Sequence, residues 1–168
     1  VTPHPCRTER LPLVGAPGFS ERLFTQVAQN YVVPHRPGAI DTRVAKHLAQ
    51  SYGVRAFEVT RIAEEQALGQ RLARGFPELE AEVVYAVRHE FCCTVEDFLA
   101  RRTRLAFKDT KAARDALPRV VALMGRELRW GWWQRRRQLA RGTKMLEEFS
   151  SGKGDVKKST STREENAK

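Results

Sequence analysis

Apolar residues recur at helical spacing most clearly between Leu79 and Phe107, read LEAEVVYAVRHEFCCTVEDFLARRTRLAF. Leu79, Val83, Ala86, Val87 and Phe91 fall on one face of a 3.6-residue period and predict an amphipathic helix. Thr94 is followed three residues later by Asp97, a capping-box-like pair whose side-chain oxygens can take up the free N–H groups of a new first turn. A second helix is therefore predicted from Thr94, carrying Val95, Phe98 and Leu99 before the short apolar run Leu105, Ala106, Phe107. Two helices with so little chain between them must cross steeply, and their shared core should be the densest part of the molecule.

The same pattern organises the rest. Pro3, Pro5, Pro12 and Pro17 predict an extended lead-in over residues 1–17. Ser20 can cap a helix to about Tyr31, with Leu23, Phe24, Val27 and Tyr31 on one face and Glu21 in the dipole-favourable first turn. Pro34 and Pro37 break the segment from Val32 to Ala39. Asp41 or Thr42 caps the next helix, whose apolar side is Val44, Ala45, Leu48 and Tyr52, and Gly53 is a natural left-handed terminator. Residues 54–67 predict a third helix with Phe57 and Ile62 inward, and Leu68 beside them; 69–77 predicts a loop. Past the central pair, Asp109 caps a helix that Pro118 should interrupt, so a separate helix is expected from Pro118 through Val120, Val121, Leu123 and Leu128. A basic helix is expected from about Gln134 to Phe149, and the Ser, Thr, Lys and Glu that follow predict a disordered tail. The expected fold class is all-α: a compact multi-helix domain over residues 18–149, between the Pro-rich lead-in and a polar tail at 150–168.

Length and composition fit one domain with a substantial core, 168 residues of which 41% are hydrophobic. Three cysteines, two of them adjacent at Cys92 and Cys93, make no sensible disulfide framework, so a reducing compartment or buried thiols are expected. The formal net charge of +10 raises the question of nucleic acid, but the excess is concentrated late: residues 129–168 hold 11 Lys+Arg against 5 Asp+Glu. A dedicated nucleic-acid fold more often carries its basic stripe on the folded body, with polar or aromatic readers interleaved.

The run Arg101-Arg102-Thr103-Arg104-Leu105-Ala106-Phe107, with Glu80 to Val83 and Thr94 to Asp97 before it, resembles the C-terminal domain of FAD-dependent, quinone-linked glycerol-3-phosphate dehydrogenases. Further pieces resemble that family in the same order: Cys6-Arg7-Thr8, Leu11 to Gly15, His47-Leu48-Ala49, Tyr52-Gly53, Ala116 to Val121, and Leu128 to Trp130. The resemblance spans roughly residues 6–149. It implies FAD in the parent family, and hydride chemistry that belongs to the flavin while the protein binds and aims it. Yet no G-x-G-x-x-G occurs in the chain, Gly152-Lys153-Gly154 has the wrong spacing, and no run of β-branched strands could build the parallel sheet of a dinucleotide fold. No catalytic, cofactor-binding or metal residue is carried over, and no cofactor is expected on this chain. Departures from the family pattern are Lys108 after Phe107 and Gly131-Trp132-Trp133 after Trp130.

Candidate chemistry is weighed residue by residue. His89, Cys92 and Cys93 are too close and too few for a zinc site, which needs about four spread ligands, so packed thiols are expected. Cys6 or Cys93 as a nucleophile would need a neighbouring base and an electropositive pocket. Arg101, Arg102 and Arg104 could grip a phosphate; the favoured reading is structural pairing with Glu80, Glu82, Glu90 or Asp97, the last one helical turn before Arg101. Trp130, Trp132 and Trp133 cannot all face one core, so Trp132, Trp133, Arg135, Arg136 and Arg137 are candidates for contact with a protein partner, with an anionic membrane surface or nucleic acid as lesser alternatives. The expected function is a non-catalytic helical module, an accessory subunit of a larger mitochondrial assembly; the first residue, Val, is expected of either a processed mature chain or a fragment. The alternative is a C-terminal piece of an active enzyme that oxidises glycerol 3-phosphate to dihydroxyacetone phosphate and reduces ubiquinone; a basic nucleic-acid adaptor is a third.

Overall fold

The computed structural model describes residues 8–31 and 40–165, with side chains to residue 151. Expectations that fall on residues 1–7, with Cys6 and Arg7, and on the proline-marked break at 32–39 lie outside the described residues. The chain divides into two compact units, Val1–Gly69 and Gln70–Lys168. Among the described residues the secondary structure is helical throughout, apart from one isolated β-bridge between Arg71 and Leu79, so the fold class is all-α.

In the first unit the described part of the lead-in is not extended. A 3-10 turn at Thr8–Arg10 leads into two tight turns, closed by the Ala16 amide on the Leu13 carbonyl and the Phe19 amide on the Ala16 carbonyl, with Gly15 and Gly18 at φ of 87° and 81°. Prolines fix φ but leave turns open to the glycines between them. Helix α1 (Arg22–Tyr31) buries Leu23 and Val27. Helix α2 (Thr42–Tyr52) opens where Asp41 accepts a hydrogen bond from the Val44 amide at 2.9 Å, and it buries Val44, Ala45, Leu48, Ala49 and Tyr52. It stops at Gly53, whose φ of 56° disfavours any side chain. The stop is also a close packing point, since a Cβ on Gly53 would lie 2.2 Å from the Gly15 carbonyl oxygen. Helix α3 (Ala56–Glu65) buries Val59, Ile62 and Ala63, with Leu68 buried just beyond it.

In the second unit, helix α4 (Glu80–His89) is buried nearly all round over its first half, from Glu80 to Ala86. It is followed by a π-helical turn at Asp97–Arg102, helix α5 (Leu105–Lys108), helix α6 (Thr110–Glu127) and helix α7 (Trp132–Glu165). Helix α6 packs on α4, α5 and α7, and Phe98, Leu99, Leu105, Leu117, Val120, Met124 and Leu146 fill the core between them. Three expectations are corrected here. Pro118 lies inside α6, not at a boundary; it is on the exposed side of the helix, where the carbonyl left without its amide partner can turn to water, so tertiary packing holds the two halves together. Phe91 does not join the apolar face of α4: the helix has ended, and Phe91 stands 92% exposed at a φ of 54°. The backbone remains helical to Glu165, where composition predicts a disordered tail; with no proline after Pro118 a helix anchored by its packed first turns can propagate at one hydrogen bond per residue.

Candidate functional site

The predicted capping box forms. The Asp97 amide donates to the Thr94 hydroxyl at 3.2 Å, while Asp97 Oδ2 accepts from the Thr94 amide and hydroxyl at 2.8 Å each and from the Cys93 amide at 3.2 Å. Burial works to raise the Asp97 carboxyl, but these hydrogen bonds, with one from the Arg101 guanidinium, hold it below the ordinary carboxylate range. The helix so started does not continue as a regular α-helix. The Thr103 amide reaches back five residues to the Phe98 carbonyl at 2.9 Å and the Thr103 hydroxyl bonds the same oxygen at 3.0 Å, producing the π-helical turn. Arg104 then takes a left-handed φ of 57° and lets α5 start in a new direction.

Around this turn the carboxylates are matched by cations. Arg101 pairs with Asp97 and, at 2.8 Å, with Glu96; Arg102 pairs with Glu90 at 2.6 Å. Glu80 meets a cation that sequence spacing could not reach: Arg119, 39 positions on, grips both of its oxygens at 2.7 Å. Hydrogen bonding to Glu80 raises the Arg119 guanidinium still further against the opposing effect of burial. Glu82 accepts from the Leu79 amide at 2.6 Å and so satisfies the start of α4. Arg104 forms no ion pair among the described residues. Glu78, Lys108 and Arg119 were not legible as partners. Glu78 is only 1% exposed, yet its Oε1 accepts from Lys108 Nζ at 2.8 Å, and its Oε2 has no partner among the described residues. The departure of Lys108 from the family pattern thus has a structural use, as the cation for a carboxylate buried in the same unit. Arg88 and Glu127 link α4 to α6 at 2.7 Å.

The thiols offer little chemistry. Cys92 is buried and its pKa is pushed up to about 12, first by burial and then by Asp97, Cys93 and Glu90, against which Arg102 works weakly. At neutral pH it is a protonated thiol. Cys93 is exposed. Among the described residues no three His, Cys, Asp or Glu side chains gather as a metal site would need, and no helix is long and apolar enough to cross a membrane. Among the described residues no strand leads into a glycine-rich turn at a helix start, the form a dinucleotide pyrophosphate cradle commonly takes.

The tryptophans separate. Trp130 is half-buried where α6 turns into α7, its amide bonded to the Gly125 carbonyl at 2.9 Å and its own carbonyl accepting from Arg135 Nε at 3.1 Å. Arg135 is therefore spent inside the unit. Trp132 and Trp133 are exposed, stacked edge to face with centroids 4.4 Å apart, and the Arg136 guanidinium lies 5.5 Å from the centre of the Trp132 ring. Arg137 is exposed beside them.

Residues 6–135 match the family model of the C-terminal domain of alpha-glycerophosphate oxidase. The chain is 45% identical to the mitochondrial glycerol-3-phosphate dehydrogenase SDP6 of Arabidopsis thaliana over 155 residues, 88% of this chain and 25% of that protein. It is 42% identical to the mitochondrial glycerol-3-phosphate dehydrogenase of Homo sapiens over 147 residues, 84% of this chain and 19% of that protein. A probable mitochondrial glycerol-3-phosphate dehydrogenase of Dictyostelium discoideum is 36% identical over 150 residues, 89% of this chain and 22% of that protein. The chain thus spans 19–25% of the length of these relatives. No solved structure matches it. By the order of its motifs, its all-helical architecture and these matches, the chain belongs to the family of the C-terminal domain of alpha-glycerophosphate oxidase and is a C-terminal domain related to glycerol-3-phosphate dehydrogenase.

Proposed function

We propose that this chain is a non-catalytic helical module, a structural or accessory part of a larger mitochondrial assembly, with any flavin chemistry carried by another stretch of polypeptide. One observation carries this reading: around the π-helical turn, most of the side chains that could have done acid–base or phosphate chemistry, Arg104 excepted, are matched to one another. Glu78 with Lys108, Glu80 with Arg119, Glu90 with Arg102 and Asp97 with Arg101 tie the π-helical turn, α4, α5 and α6 together, and Cys92 is held as a neutral thiol. Catalytic groups are instead poised near the working pH and left open to substrate. The mitochondrial location rests on the names of the relatives, which are mitochondrial enzymes.

A second reading has its own support. At 45% identity over 88% of its length, the chain is similar enough to the Arabidopsis enzyme to serve as the C-terminal part of a glycerol-3-phosphate dehydrogenase that oxidises glycerol 3-phosphate to dihydroxyacetone phosphate, reduces its FAD and passes the electrons to ubiquinone. The intact mass of the native polypeptide decides between the two. A mass near 19.1 kDa supports the accessory subunit, and one several times larger supports the enzyme. In either case the isolated chain is expected to show no flavin absorbance after incubation with FAD and no glycerol 3-phosphate oxidation; stoichiometric FAD would overturn the non-catalytic assignment.

A further inference from the structure

Over residues 132–146 the exposed side of α7 has one sign of charge, and exposed Glu147 and Glu148 follow it. No Asp or Glu occurs between Glu127 and Glu147, and Arg136, Arg137, Arg141 and Lys144 are all exposed and form no ion pair among the described residues. Trp133, Arg137, Ala140 and Lys144 recur at helical spacing along one stripe, with Trp132 and Arg136 at its edge. The opposite stripe is fixed: Gln138, Gly142 and Leu146 are buried, and a Cβ on Gly142 would lie 2.6 Å from Leu117. The helix cannot rotate to hide its tryptophans. Trp132 and Trp133 are 59% and 77% exposed, large values for side chains of so much apolar area.

We infer that this stripe docks an acidic protein surface, with Trp133 entering an apolar recess and Arg136 and Arg137 facing carboxylates around it, while Arg141 and Lys144 line a hollow with the chain's own Glu96 and Glu148. The inference rests on the reading of the chain as a structural module and names the face through which it is held. Charge complementarity sets the sign of the partner. The composition sets its class: a membrane-surface helix needs an apolar stripe sustained along its length, whereas here the exposed large apolar side chains on described α7 residues are Trp132, Trp133 and Leu139, all within two turns. A tight cluster of Trp and Arg, pre-arranged by edge-to-face stacking and a cation over the ring, is instead the composition of a protein-interface hot spot.

The test places a photo-crosslinking side chain at position 140 of the full chain, on the same exposed stripe, expressed in its own cells, and identifies the adduct by mass spectrometry. The expected adduct is a peptide rich in Asp and Glu, whether it lies in another protein or elsewhere in the same polypeptide; the native mass settles that separate question. The double charge reversal Arg136→Glu with Arg137→Glu should lower the adduct yield at least tenfold, and Arg136→Lys with Arg137→Lys should largely keep it, with helical circular dichroism unchanged in both. A crosslinker at exposed Arg114 on α6 is the control and should give no such adduct. Adducts confined to lipid or to nucleic acid, an adduct peptide without acidic residues, no adduct at all, or a yield untouched by charge reversal would each overturn the inference.

Discussion

Replacing Phe91 by glycine should stabilise the protein, against the usual rule that removing a large aromatic residue weakens it. Phe91 sits just past the end of α4 at a φ of 54°, which crowds the Cβ of any L-residue, at a cost of roughly 1–2 kcal/mol. Its ring returns little, because the residue is 92% exposed and no ring contact of it is described. Glycine removes the crowding and raises the entropy of the unfolded chain, an opposing effect of about 0.4–1 kcal/mol. The balance favours Phe91→Gly by about 0.5–1 kcal/mol, which for a chain of this size raises Tm by roughly 1–4 °C. Thermal unfolding followed by circular dichroism at 222 nm reads the shift. Phe91→Ala, which deletes the ring and keeps the crowded Cβ, should leave Tm nearly unchanged. A fall in Tm for the glycine variant, larger than that for alanine, would refute the reasoning by showing that the ring packs.

Three further outcomes follow from the geometry. Gly53→Ala should cost more than about 2 kcal/mol, since it combines a left-handed φ with a Cβ placed 2.2 Å from the Gly15 carbonyl oxygen; chemical denaturation of the two proteins side by side measures it. The Asp97 carboxyl titrates lower when folded than when unfolded, so its contribution is present above the unfolded value near pH 3.8 and is lost as pH falls through the depressed folded value; Asp97→Asn should flatten that part of the stability–pH curve, and parallel curves would discredit the assignment. The Cys92 thiol titrates higher when folded, so its contribution is complete below pH 9.0 and is lost as pH rises from there towards about 12. In iodoacetamide labelling at neutral pH, read by peptide mapping, Cys93 should react in the native protein and Cys92 only after unfolding.

The local pattern of residues determined most of the helices, several of their starts and the stop of α2. Asp41 caps α2, Gly53 ends it, Thr94 and Asp97 close a capping box, and Asp109 accepts from the Ala112 amide at the start of α6. Each of these devices is completed within four residues, so its parts are adjacent in the chain before any folding occurs. The absence of a glycine-rich dinucleotide turn was equally plain. Tertiary structure decided the rest. Arg119 reaches Glu80 and Lys108 reaches Glu78 across 39 and 30 positions, distances over which spacing carries no information. Pro118 stays inside α6 because packing on both sides outweighs one lost hydrogen bond on the solvent side, a balance that propensity alone reads the other way. Phe91 looked like core because it continued a helical period, and it lies outside because α4 ends two residues before it. A period records where a side chain would point if the helix went on; only the packed chain decides where the helix stops, and with it which charges are neutralised inside and which remain to meet a partner.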